Sequence, residues 1–121
     1  MTKSTMSIRE QLFADVKPGR SETIELSNGV KVEVRQPTRG VRNRILQESC
    51  ETVGKETKFN AMAFADRCVI QCTFNAETGN RVFKDSDYDE IEKLQNAEWF
   101  DELVEVVQRI ISVTQKDMEK N

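Results

Sequence analysis

Two short segments near the start of the chain alternate apolar and polar residues, the pattern of a β-strand with one buried face. They flank Asn28-Gly29, the strongest two-residue turn signal for a β-hairpin. One strand is predicted over Thr23-Ile24-Glu25-Leu26 and the other from Val30 to Arg35. One face would carry the apolar set Ile24, Leu26, Val30, Val32 and Val34, with charged residues on the other. Since a lone hairpin is marginal in water, we expect this apolar face to pack on helices.

Apolar residues recur at helical spacing elsewhere. Ser7-Ile8-Arg9-Glu10 has the form of a capping box and predicts a short amphipathic helix over residues 7–15. Further helices are predicted over about 38–50 and 59–74, and from Asp85 to a break near Asn96. The last helix, 97–114, carries an apolar stripe of Phe100, Leu103, Val104, Val107, Ile110, Ile111 and Thr114. The helix over 59–74 is apolar on most sides and is expected to be central.

The remaining segments connect these elements. Gly54 to Lys58 is interpreted as a loop and Asn75 to Asn80 as a turn. Arg81-Val82-Phe83 is predicted to be a short extended piece that places Phe83 in the core. The pattern indicates an α+β fold, with an N-terminal β-hairpin packed on a mainly helical domain of about four helices. At 121 residues the chain is predicted to form one domain over 1–121, with 1–6 and 115–121 frayed.

The chain contains no histidine, which removes the usual general base near neutral pH and the usual nucleophile partner. Its glycines stand apart and form no phosphate-binding loop. Aspartate and glutamate are abundant but are distributed as helix-surface charges, whereas a catalytic carboxylate pair needs a cleft. We therefore expect neither catalysis nor a cofactor.

Three cysteines, Cys50, Cys68 and Cys72, are expected to be free thiols. Cys68 and Cys72 would share a helix face, but a closed zinc site needs four ligands, so small buried hydrophobic residues are the favoured interpretation and no metal is expected. The apolar runs are far shorter than the roughly 20 residues of a membrane span. Residues 1–6 are polar and lack a secretory signal, so the expected location is the cytoplasm.

Charge is segregated along the sequence although 18 basic residues nearly balance 21 acidic ones. Arg35, Arg39, Arg42 and Arg44 form a cluster with no acidic residue among them. Residues 85–105 are strongly acidic, and Lys93 is their single basic residue. Such polarity can attract a charged partner or a second copy, while solvated helix faces are the alternative.

Trp99 is the other candidate for binding a protein. On a helix it lies about 100° from Phe100, so if Phe100 faces the core, Trp99 lies at the core's edge or outside it. There it either caps the core or, with Met62, Met118 or Tyr88 nearby, anchors an apolar helix of a partner. Glu98 and Glu102 are further candidates for binding a protein.

In this order the segments resemble the small tail assembly chaperones of long-tailed phages and prophages. The resemblance rests on V-x-V-x-x-P-T at Val32 to Thr38, followed by a basic helix. Further on come C-x-x-N-x-x-T-G-x-x-x-F from Cys72 to Phe83, then Asp85 and Asp87, then two helices. Two departures are the absence of an aspartate-rich D-x-D-G in the turn and a long insertion at Glu51 to Lys58.

The resemblance implies a non-catalytic adaptor. Such chaperones keep the tape measure protein soluble and bring tail tube subunits to it, act in the host cytoplasm, and are absent from the finished virion. The implied partners are therefore the tape measure and tail tube proteins, with self-association possible and no membrane.

Two other functions stay open at this stage. One is an acidic secretion-type chaperone that dimerises around an unfolded client. The other is a small nucleic-acid-binding protein that uses the arginine cluster at 35–44, although the excess of acidic residues makes nucleic acid an unfavoured partner.

Overall fold

A computed structural model describes the backbone of residues 5–120 and the side chains of residues 5–111. Residues 1–4 and 121 lie outside this description, as do the side chains from 112 onwards, including that of Thr114. The predicted fraying of 1–6 and 115–121 falls mostly on these parts and stays a prediction.

The described chain combines helices with short antiparallel strands, which confirms the α+β class. The helices are α1 Ile8–Ala14, α2 Arg39–Glu48, α3 Ala61–Cys72, α4 Tyr88–Glu92 and α5 Glu98–Lys120, with a 3-10 turn at Asp85–Asp87. The strands are β1 Ser21–Glu25, β2 Lys31–Arg35, β3 Cys50–Val53, β4 Glu56–Phe59 and β5 Thr73–Asn75. Four helices follow the β1–β2 hairpin, as expected. None of the helices within 5–120 is both long and apolar enough to cross a bilayer.

The β1–β2 hairpin is present, but its loop differs from the predicted one. The Leu26 N–H donates to the Val30 carbonyl at 2.8 Å, so the loop holds three residues, 27–29, and Gly29 takes a positive φ of 88°. The observed register places Ile24 opposite Val32. A two-residue loop would shift the register by one and pair Ile24 with Glu33, so the apolar face selects the longer loop.

A third strand joins this hairpin where the sequence predicted the end of a helix. α3 stops at Cys72, and Thr73–Asn75 runs antiparallel to β2, with Thr73 opposite Val34. The sheet order is β1-β2-β5. Of the predicted extended piece Arg81-Val82-Phe83, Arg81 forms a bridge with Phe74, whereas the chain bends at Val82.

The predicted loop at 54–58 is wrong, because this segment belongs to a second hairpin. β3 and β4 pair through the two-residue turn Gly54-Lys55, with Glu51 opposite Lys58 and a φ of 66° at Gly54. All eight strand residues are exposed. Both strands lack a buried face, so the alternation that reveals a half-buried strand is missing from the sequence.

The core forms where α3 packs against α2, α4 and α5 and where α5 crosses β2. Its fully buried members include Val34, Ile45, Val69, Leu103 and Val107. Three residues expected to be buried are exposed: Val30 at 51%, Phe59 at 51% and Met62 at 80%. Val30 lies beside the hairpin loop, while Phe59 and Met62 fall on β4 and on the first turn of α3, outside the helix packing.

Helix α1 confirms the capping box, since the Glu10 N–H donates to Ser7 Oγ at 3.1 Å. Its apolar residues do not join the core: Ile8, Leu12 and Phe13 are each at least two-thirds exposed. The pattern thus predicted the helix correctly, but within residues 5–111 nothing covers its apolar side.

Candidate functional site

Trp99 lies in the first turn of α5 at the edge of the core. Its ring stacks on Phe83, with centroids 6.4 Å apart and planes 12° from parallel, and meets Phe100 edge-on at 5.9 Å. Phe100 is only 9% exposed, whereas Trp99 is half-buried. This follows from the 100° between neighbouring helical residues. Trp99 therefore covers the core and also presents part of its ring outward.

A cleft of about 210 Å³ opens beside the rings of Phe83 and Trp99. The hairpin end contributes Leu26 and Val30, the segment after β5 contributes Val82, and α5 contributes Leu103. The exposed part of its lining is apolar. Val30 and Val82 are 51% and 44% exposed at its mouth, so apolar surface remains in contact with water there.

A second hollow, of about 170 Å³, shares Phe83 and Trp99 with the cleft. Ile91 and Leu94 complete its apolar lining, and Leu94 is 43% exposed. Asp87 and Glu90 also line this hollow. We call the exposed residues around both hollows the Trp99 surface, which comprises Val30, Val82, Phe83, Leu94 and Trp99.

Carboxylates lie next to the Trp99 surface. The Ser27 N–H donates to both carboxylate oxygens of Glu102, at 2.9 and 3.1 Å, and this contact fastens the hairpin loop to α5. Glu98, adjacent to Trp99 in α5, is exposed. Of the sequence-predicted binding residues, Glu98, Trp99 and Glu102 thus share one helix, and Glu102 also has a structural role.

The four arginines of the cluster lie on two elements, β2 and α2. Arg35 pairs with Glu33 at 2.8 Å, and its guanidinium lies 4.2 Å from the Phe74 ring centroid. Both contacts hold the Arg35 side chain on the sheet. Arg39, Arg42 and Arg44 are exposed on α2. Arg35 is thus engaged on the sheet while the other three are exposed on the helix, and a binding role for any of them stays a prediction.

Basic and acidic segments meet at Asp85. Hydrogen bonds from Arg81 and Gln71 hold the pKa of this carboxyl below its usual value, and the charge of Arg44 acts in the same direction. Arg81 Nη2 lies 3.0 Å from Asp85 Oδ1. The acidic stretch thus begins with a carboxylate that is already paired.

A second ionisable cluster lies where α3 meets α4. The Arg67 guanidinium is 4.1 Å from the Tyr88 ring centroid. Burial, and then the neighbouring Glu92, raise the pKa of Asp66. Burial also raises the pKa of Tyr88, as does a hydrogen bond with Glu92. These groups pack the two helices together.

All three cysteines are free thiols; Cys50 is exposed, whereas Cys68 and Cys72 are buried. Burial raises the pKa of both buried thiols from 9.0 to about 12. They are therefore protonated near neutral pH, which disfavours both nucleophilic attack and metal ligation. Among the described residues, no three Cys, Asp or Glu side chains converge on a metal-sized site.

We predict that one thiol per folded chain, that of Cys50, reacts rapidly with a chromogenic disulfide reagent at pH 8. The other two should react only in denaturant, because Cys68 and Cys72 are each 1% exposed. The Cys50→Ser variant should abolish the rapid phase, and rapid reaction of two or three thiols in the folded protein would contradict the burial. The buried thiols of Cys68 and Cys72 also predict a pH dependence of stability. Their contribution to the free energy of unfolding should be constant below pH 9 and decline as the pH rises towards 12, because these thiols ionise at a lower pH in the unfolded chain than in the folded one.

Sequence reasoning missed most of the Trp99 surface. Val30 was expected to be buried, and Val82 and Leu94 were given no binding role. Val30 continues the apolar alternation of Val32 and Val34, which predicts burial, whereas Val82 and Leu94 lie in short segments; no pattern marks any of the three as part of a binding surface. Phe83 was expected to enter the core, and it does pack against the core while also lining both hollows.

Comparison with known proteins identifies the fold. No family model and no curated protein matches this sequence. Among solved structures, the tail assembly chaperone of bacteriophage HK97 matches with a TM-score of 0.55 at 18% sequence identity. The match covers 86% of this chain and 98% of that chain. The present chain therefore has the fold of that chaperone along almost all of the chaperone's length.

Proposed function

We propose that this chain is a phage tail assembly chaperone that binds a tape measure protein and helps to recruit tail tube subunits to it. The observation that carries the proposal is the shared fold, which accounts for 98% of the HK97 tail assembly chaperone. The motifs from Val32 to Thr38 and from Cys72 to Phe83 support the same assignment from the sequence.

The surface of the described residues suits a protein-binding role. Apolar side chains are exposed around Trp99 and along α1, where the hollow beside Leu12 contains one ionisable side chain, Asp15. Exposed apolar patches with polar rims are typical of protein interaction sites. Such a protein acts through its surfaces in the host cytoplasm and leaves before the virion is complete.

Co-expression tests the proposal directly. The chain is produced together with the tape measure protein encoded in the same phage or prophage, and the soluble fraction is analysed for a complex by affinity purification and size exclusion. We expect the tape measure protein to remain in solution and to co-purify, whereas the same protein expressed alone should precipitate. A tape measure protein that precipitates equally in both cases, with no complex, would reject the proposal.

The second partner is tested by adding the tail tube protein to the purified complex. We expect tube subunits to be retained by the complex. Retention that does not depend on this chain would reject recruitment while leaving client binding intact.

Two further measurements address the alternative functions. DNA binding that weakens steeply with salt and is lost in an Arg39→Ala, Arg42→Ala, Arg44→Ala variant would favour the nucleic-acid alternative. A stable dimer that protects an unfolded client unrelated to phage tails would favour the secretion-type alternative.

A further inference from the structure

The Trp99 surface combines two small apolar hollows with surrounding carboxylates. We propose that it is the docking site for a basic amphipathic helix of a partner protein. Apolar side chains of that helix would enter the two hollows, and its lysines or arginines would lie over the carboxylates. This inference rests on the proposed function, for which it specifies the chemistry that the chain recognises in its client.

The size of the hollows favours side chains over a small molecule. At about 210 and 170 Å³ they fall below the roughly 300–1,000 Å³ of typical small-molecule sites. Each hollow therefore fits one large apolar side chain. Filling them would remove from water Val30, Val82 and Leu94, which are 51%, 44% and 43% exposed.

The arrangement of the hollows favours a helix. Both are lined by the rings of Phe83 and Trp99, so they adjoin each other. Two anchors one turn apart on a helix, separated by about 5.4 Å along its axis, can enter adjoining hollows at once. The Trp99 ring that both anchors would contact is already packed against Phe83 on one side and edge-on against Phe100.

The carboxylates around the Trp99 surface favour a positively charged partner. Asp87 and Glu90 line one hollow, and Glu98 and Glu102 lie on α5 beside Trp99. Among the side chains of residues 5–111, no lysine or arginine lines either hollow. Lys93 contacts Glu90 at 3.6 Å, but both side chains are 73% exposed, so this pair is weak. Arg81 and Lys84, next to Val82 and Phe83 in the chain, are also exposed, but Arg81 is paired with Asp85 at 3.0 Å. Carboxylates therefore remain in excess around the Trp99 surface, which makes it complementary to a basic helix.

A second copy of the chain fits less well. Helix α1 is the exposed apolar helix that another copy would offer, but its charged residues, Arg9 and Glu10, cancel. The acidic surroundings of Trp99 would gain nothing from it.

The test uses the full chain and two synthetic helical peptides with leucine at positions i, i+3, i+4 and i+7. One peptide carries lysine at its polar positions and the other carries glutamate. Trp99 is the single tryptophan of the chain, so its fluorescence reports directly on the site. We expect the lysine peptide to shift this emission and to bind less tightly as salt is raised, and the glutamate peptide to do neither.

Variants at exposed positions keep the test clear of folding defects. Val82→Glu should abolish peptide binding, and Glu90→Lys with Glu98→Lys should weaken it on the order of tenfold or more. The matched controls, Met62→Glu and Glu56→Lys, lie on α3 and β4 and should bind as the unmodified chain does. Circular dichroism and thermal unfolding establish that every variant is folded.

Equal binding of both peptides, binding of neither, or unchanged binding by Val82→Glu would overturn the inference. Concentration-dependent self-association that Val82→Glu abolishes, without peptide binding, would overturn it in favour of a second copy. If tape measure capture persists in Val82→Glu while no peptide binds, the docking inference fails and the proposed function stands. If the lysine peptide binds as expected but no tape measure protein is captured, the proposed function fails and the docking surface stands.

Discussion

Replacing Leu103 with alanine is expected to lower the free energy of unfolding by about 2–5 kcal/mol. Leu103 is 1% exposed on α5, in the core cluster that also contains Val32 and Val69. Removing its side chain loses apolar burial and leaves a cavity that these neighbours fill only in part. Urea or thermal unfolding of purified proteins measures the loss, a large share of the about 5–15 kcal/mol that stabilises a domain.

Leu94→Ala is the matched control for this change. The same atoms are removed, but Leu94 is 43% exposed, so we expect a loss below about 1 kcal/mol. Equal losses in the two variants would show that α5 does not pack as described.

Replacing Thr73 with valine is expected to raise the free energy of unfolding by about 1–3 kcal/mol. Thr73 is fully buried in β5, and its hydroxyl has no hydrogen-bond partner among the described residues. Valine has nearly the same shape, favours strands, and carries no polar atom that must be removed from water. The gain is measured as a shift of the urea unfolding midpoint to higher urea concentration, while the dependence of the free energy on urea concentration stays unchanged.

Replacing Ser49 with alanine is expected to lower the free energy of unfolding instead. Ser49 is also buried, but its hydroxyl donates to the Ile45 carbonyl at 2.7 Å at the end of α2. Losing this bond should cost about 0.5–1.5 kcal/mol. A destabilised Thr73→Val variant would mean that the Thr73 hydroxyl does make a hydrogen bond in the folded protein.

The local pattern of apolar and polar residues was sufficient to predict most helices and strands of this fold. The helix at α1 follows from its capping box, α2 from Thr38 and the spacing of Val41 and Ile45, and α5 from its apolar stripe. The hairpin follows from alternation around Asn28-Gly29. In each case the signal lies within a few neighbouring residues, because a buried face imposes its period on the sequence.

The elements that the sequence predicted wrongly depend largely on contacts between distant segments. Thr73–Asn75 is a strand because β2 offers it an edge, and its residues continue a helical apolar pattern. The three-residue hairpin loop is selected by the register that sets Ile24 against Val32. The β3–β4 hairpin has no buried face and so left no alternation to detect.

For the candidate site, the sequence by itself established that Glu98, Trp99 and Glu102 share a helix and that the chain is acidic around them. It also indicated that Trp99 lies beside the core face of that helix. These conclusions need only helical geometry and the order of residues.

Tertiary packing decided which surface surrounds Trp99. It brings Val30 from the hairpin, Val82 and Phe83 from beyond β5, and Leu94 from beyond α4 to one place. It also pairs Arg35 with Glu33 on the sheet. Periodicity records that a residue is buried or exposed, but it carries no information about which distant segment lies next to it. A surface built from one or two residues of each of four segments therefore becomes visible only when the chain is folded.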